Sequence, residues 1–176
     1  MVKTLKKKKF RHPATRRVLM RLFNEFLVTG FDVCEFSEKT FEYLSERLDS
    51  QRYTNDEIVS MFSATEVNST DMVVENVDVS FLRENLSEQT IKLSIGYIPT
   101  KHILLQEEFK ELIRICANRI TNTNKLCEDI LYVLSKVLKT ENIILCLNDE
   151  NIILSSKGLF RTDLALTDIF LKLKQV

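Results

Sequence analysis

Glycine is scarce in this chain, with only Gly30, Gly96 and Gly158 among 176 residues. Three scattered glycines cannot build a P-loop or a dinucleotide fingerprint, so the usual backbone cradle for a nucleotide phosphate is missing. Histidine is scarcer still. His12 and His102 stand near no nucleophile motif, which leaves little material for a histidine acid–base pair. The four cysteines (Cys34, Cys116, Cys127 and Cys146) show no CxxC pairing and sit among apolar neighbours, as reduced, buried thiols do. Zinc-ligand spacing is therefore absent and no disulfide framework is expected. Long apolar runs are lacking too, since charge interrupts them every few positions, well short of the roughly 20 residues that span a bilayer. The basic start has no apolar h-region or small-residue cleavage site behind it, so secretion is not expected. The acidic neighbours Glu107 with Glu108 and Asp149 with Glu150 read as solvated faces rather than cation sites. Neither catalysis, a cofactor, a metal nor a small-molecule ligand is expected.

Charge is present, and it is segregated. Nine of the 25 Lys and Arg residues, and none of the 25 Asp and Glu, fall in the first 24 positions, so the remainder carries a formal charge of minus nine. Such a split suits an arm that seeks an anionic partner on a body that stays soluble. Lys6, Lys7, Lys8, Lys9, Arg11, Arg16, Arg17 and Arg21 are the candidate contacts. Lysine and arginine neutralise phosphates and release counterions, giving salt-sensitive, sequence-poor affinity. The same cluster has the composition of a nuclear import signal. A plain solvated tail is one alternative, and an organelle presequence is another, favoured by the absence of acids and by the amphipathic segment 16–26, but disfavoured by the excess of lysine and the lack of serine.

Hydrophobic spacing divides the chain further. Residues 1–13 read as a flexible basic arm, because four adjacent lysines repel and little apolar surface offsets the entropy of ordering. Residues 14–63 read as a small helical domain. Val18, Leu19, Leu22, Phe23, Phe26 and Leu27 fall on one inward face, Phe41, Leu44 and Leu48 form a second stripe after a Ser37 cap, and Thr54 with Glu57 makes a capping box. Residues 64–79 are polar and acidic and read as a linker or one weak edge strand. Residues 80–176 read as an α+β domain. Phe81 to Leu86 suggests a short helix and Ile91 to Ile95 a strand. Two helices then follow, one capped by Thr100 and carrying Leu105 to Ile120, the other carrying Leu126 to Leu138. A β-hairpin comes next at 142–147 and 151–155, and the last helix holds Leu164, Ile169, Phe170 and Leu173 inward. The expected class is α+β and predominantly helical: an N-terminal three-helix unit, then a helical pair with a small β-hairpin.

Three stretches of residues 16–62 carry a resemblance to a known family: Arg17-Val18-Leu19; Leu27-Val28-Thr29-Gly30-Phe31-Asp32-Val33; and Phe41-Glu42-Tyr43-Leu44-Ser45-Glu46-Arg47-Leu48. With a third helix at 54–62, the segment resembles the small N-terminal helical domain of the B subunit, the second and non-catalytic one, of eukaryotic DNA polymerase epsilon. Residues 109–119 followed by the β-rich 142–155 are similar to the connection into that family's oligonucleotide-binding-like domain. The chain has no room for the family's inactive phosphoesterase-like domain or for a full five-stranded barrel, so the resemblance implies a much reduced relative. It implies a structural role in DNA replication, tying a polymerase to its machinery through the first three helices. The expected function is thus a non-enzymatic nuclear adaptor or accessory subunit, with a larger protein assembly and nucleic acid as partners and no membrane. The alternative is a basic-tailed structural assembly protein, such as a viral capsid or mitochondrial ribosome component, and with it a mitochondrial location.

Overall fold

The computed structural model describes residues 13–26, 32–68, 71–148 and 152–174. These fall into two compact units that meet in sequence at Asp49 and Ser50. The smaller contains α1 (Pro13–Phe26) and α2 (Val33–Arg47). Asp32 rather than Ser37 caps α2, its carboxylate accepting from the Glu35 N–H at 3.1 Å. Phe23 on α1 meets Phe36 on α2 edge-on, with ring centroids 4.8 Å apart.

The larger unit begins with α3 (Asn55–Met61), where the Thr54–Glu57 capping box forms in both directions. Hydrogen bonds from the Thr54 N–H and hydroxyl hold the Glu57 carboxyl below its ordinary pKa range. Next come β1 (Thr65–Glu66), β2 (Val73–Leu82), β3 (Glu88–Tyr97) and β4 (His102–Ile103). Helices α4 (Gln106–Ala117) and α5 (Thr123–Leu138), strands β5 (Ile143–Leu147) and β6 (Ile152–Ser156), and helices α6 (Leu159–Thr162) and α7 (Leu164–Leu173) complete it.

The expectation of a predominantly helical fold is overturned. The unit is built on a four-stranded antiparallel sheet, order β2-β3-β5-β6, with a separate two-stranded pair β1-β4, so helix and sheet are mixed. The error lies at β2. Its polar composition resembles a linker, yet Val77, Val79 and Phe81 alternate into the core while Asn76, Asp78 and Ser80 face the other way. Phe81 and Leu82 end that strand instead of starting a helix, and Leu86 sits in the turn to β3 with φ at +61°. Strands β5 and β6 occupy the run read as a small hairpin, but as half of a larger sheet. Helix α4 starts at Gln106 rather than after Thr100 because the chain first forms β4.

Strand alternation gives the sheet two covered faces. On one, Val77, Val79, Phe81, Leu93, Ile95, Tyr97, Ile143 and Leu145 pack with Phe109 and Leu112 of α4 and Leu126, Ile130 and Leu134 of α5. On the other, Ile144 and Cys146 pack with Phe160 of α6 and Phe170 of α7. Of the four residues expected inward on the last helix, only Phe170 is; Leu164 is 80% exposed, and Ile169 and Leu173 are also exposed. Its apolar side chains run all round a helix that contacts the sheet along one narrow line, so most cannot be buried.

That line is set by Gly96. A methyl group there would lie 2.5 Å from Phe170 Cδ2 and 3.0 Å from Ile144 Cγ2. The Gly96→Ala variant is expected to lose about 1–3 kcal/mol of unfolding free energy in urea denaturation. Adding Phe170→Leu, which removes the obstructing ring edge, should make the alanine less destabilising in a double-mutant cycle. Strictly additive losses would mean that the ring does not limit the approach.

Candidate functional site

The basic residues singled out in the sequence are only partly placed. Lys6, Lys7, Lys8, Lys9 and Arg11 lie outside the described residues, and Arg16 is within α1 with its side chain outside them. Arg17 and Arg21 are exposed on α1, one turn apart. Beside them, Val18 and Leu22, expected in a core, are 64% and 46% exposed. The face of α1 seen by solvent therefore mixes guanidinium and aliphatic groups. Helix α2 is its electrical opposite, with Glu35, Glu42 and Glu46 exposed and Lys39 paired to Glu35 at 2.6 Å. Arginines a turn apart can in general bridge successive anionic groups.

The larger unit holds two polar clusters whose members are far apart in sequence. In the first, Arg119 donates from Nε to the Ser50 carbonyl (3.1 Å), from one terminal nitrogen to Asn55 Oδ1 (2.8 Å) and from the other to the Tyr53 carbonyl (2.6 Å). Its charge faces Asp129 at 3.6 Å, and Asp129 also pairs with Lys125 at 3.1 Å and accepts from Asn55 at 2.8 Å. The guanidinium is committed to holding residues 50–55 against the α4–α5 turn, so this cluster is structural.

The second cluster lies on the sheet face under α7. Ser94 donates to Asn76 Oδ1 at 2.6 Å, Asn76 donates to the Lys174 carbonyl at 3.4 Å, and the Lys174 ammonium donates to the carbonyl and side-chain oxygens of Asn148, each at 3.2 Å. Cys146 is beside them. Burial pushes its thiol up, against the pull of the Lys174 ammonium. Ser94, Cys146 and Lys174 are all buried, so the hydroxyl, thiol and amine have no open approach in this conformation. Sequence reading missed the cluster. Asn76 and Ser94 face each other only once the β2–β3 register is known, and the single hint was their polar alternation within apolar runs.

Burial likewise pushes the Cys116 thiol to about 12 and the Cys127 thiol to about 11, which keeps both protonated and unreactive at neutral pH. The Tyr97 hydroxyl is raised to about 12, first by burial and then by Glu75. His102 has a buried Nδ1 with no hydrogen-bond partner among the described residues, and its Nε2 is 4.0 Å from Glu66. Among the described residues no three His, Cys, Asp or Glu side chains gather as metal ligands would, and no helix is long and apolar enough to cross a membrane. His12, Asp149 and Glu150 are outside the described residues.

No protein-family model matches the chain, and no curated protein matches it significantly.

Removing the Arg119 side chain leaves Asp129 buried with Lys125 as its one charged partner among the described residues. The Arg119→Ala variant is expected to cost about 3 kcal/mol in denaturant unfolding, the low end for a broken buried pair. Arg119→Met with Asp129→Leu should cost less than Arg119→Ala alone. An Arg119→Ala variant within experimental error of wild type would mean that Arg119 does not hold residues 50–55 in place.

Proposed function

We propose that the protein is a non-enzymatic, nucleic-acid-associated adaptor, in which the basic N-terminal segment engages phosphate and the folded units engage protein. The observation that carries this reading is charge segregation: six Lys and Arg lie in the first 11 residues with no acid before Glu25, ahead of a body of opposite sign. The exposure of Arg17 and Arg21 supports it by adding two solvent-facing guanidinium groups on α1. A body of formal negative charge repels nucleic acid, which confines contact to the arm and leaves the remaining surface for a protein partner. Lys6 to Lys9 would double as a nuclear import signal, making the nucleus the proposed location. The likeness of residues 16–62 to the polymerase epsilon B-subunit domain makes a DNA replication polymerase the first assembly to test.

Binding of duplex DNA and of single-stranded RNA, followed by fluorescence anisotropy across a salt series, tests the arm. Deleting residues 2–11 is expected to weaken affinity and to reduce the slope of log affinity against log salt by up to about 5 on duplex DNA, or about 0.9 for each phosphate no longer neutralised. The melting temperature of the folded body should not move. Equal slopes with and without the segment would rule out its nucleic-acid role, whatever the absolute affinity.

A further inference from the structure

We propose that the exposed apolar side of α7 is a contact between two copies of this chain, in which two α7 helices lie antiparallel across a twofold axis. The helix is described along its whole length and carries more apolar surface than the sheet covers. Thr167, Phe170 and Lys174 form its buried line. At about 100° per residue, Ala165, Ile169 and Leu173 form a second line about 130° away around the helix.

This second line is open to solvent. Ala165 is exposed, and Ile169 and Leu173 are 46% and 44% exposed. Leu166 lies between the two lines and packs, half-buried, against the smaller core, so the stripe continues that core outward instead of scattering over the surface. Apolar residues at i, i+4 and i+8 make the ridge that one helix offers to the groove of another.

Charge selects the occupant. Asp168 and Lys172, both exposed, border the stripe on the side away from Leu166 and are one helical turn apart. A purely acidic partner, nucleic acid included, would be repelled by Asp168, and a purely basic one by Lys172. A second α7 turned end for end about Ile169 suits both. It sets each Ile169 against the other and each Ala165 against the larger Leu173 of the second copy. It also brings Asp168 of each chain within about 3 Å along the axis of Lys172 of the other, so one acid and one base per chain give two ion pairs. Ten helical residues bury less than the roughly 1,200 Å² of a standard interface, so the association is weak and concentration-dependent. The contact uses neither the basic arm nor nucleic acid and stands independently of the adaptor reading.

Sedimentation equilibrium of the full chain, reduced and without nucleic acid, tests the proposal. The mass is expected to rise from the 20.6 kDa of one chain towards twice that value as the concentration approaches about 500 µM. Asp168→Lys alone and Lys172→Asp alone each leave two like charges beside the stripe, and each should raise the dimer dissociation constant by about tenfold or more. Mixed in equal amounts, the two variants should associate with each other about as well as wild type does with itself, since each supplies the charges that the other lacks. Both positions are exposed, so the thermal transition of either variant should match that of wild type, which separates lost association from lost fold. A wild-type chain that keeps the single mass at every concentration overturns the proposal. So do single variants that self-associate as wild type does, or a mixture of the two that fails to associate.

Discussion

Pairing of β3 with β2 along its whole length, from Leu82 opposite Glu88 to Val73 opposite Tyr97, commits alternate residues of β3 to opposite sides of the sheet. The far half of β3, Leu93 to Tyr97, also pairs with β5 on its other edge. That half is consequently buried above, below and on both flanks. Leu93, Ile95 and Tyr97 serve the face packed by α4 and α5, while Ser94 and Gly96 serve the face covered by α7. A slip of one residue would exchange these sets, placing Ser94 among α4 and α5 and driving Tyr97 into Phe170. The polar cluster, the route of α7 and the two cores all follow from this one register.

The polar ends of the smaller elements are anchored by residues far apart in sequence. Residues 50–55 are attached to α5 through Arg119 and Asp129, and the end of α7 is attached to the sheet through Lys174, Asn76 and Asn148. Both attachments bond backbone carbonyls, those of Ser50 and Tyr53 in the first and those of Lys174 and Asn148 in the second. A buried cation bonded to carbonyl and amide oxygens fixes geometry without creating a reactive centre. The thiols obey the same logic, since desolvation favours their neutral form.

Legibility in the sequence followed how local the determining interaction was. The stripes of α4 and α5 were readable because Phe109, Leu112, Cys116 and then Ile130, Leu134 and Val137 repeat at helical spacing over several turns. The Thr54–Glu57 box was readable because its partners are three residues apart. Strand β2 was not, because its polar residues look like linker until the second sheet face gives them a place. The helical unit also ended earlier than its composition suggested: Ile58 and Phe62 join the larger core, so α3 belongs there and not with α1 and α2. Arg17 and Arg21 could be identified as basic, but their neighbours Val18 and Leu22 were assigned inward, because periodicity reports that a face is apolar and not what covers it. Arg119 and Lys174 became recognisable only from hydrogen bonds spanning tens of residues.

The unequal size of the two cores bears on how the larger unit breathes. The α4–α5 layer is joined to the sheet by a large cluster of buried side chains, while α6 and α7 are joined by Phe160, Phe170 and a few half-buried neighbours. Sub-global opening favours the smaller apolar contact, so α6 and α7 are expected to separate from the sheet before α4 and α5 do. Amide protons on their helical turns exchange with solvent through that opening, while those of α5 wait for global unfolding. The same fluctuation briefly gives water a path to Cys146, which in the closed state has none.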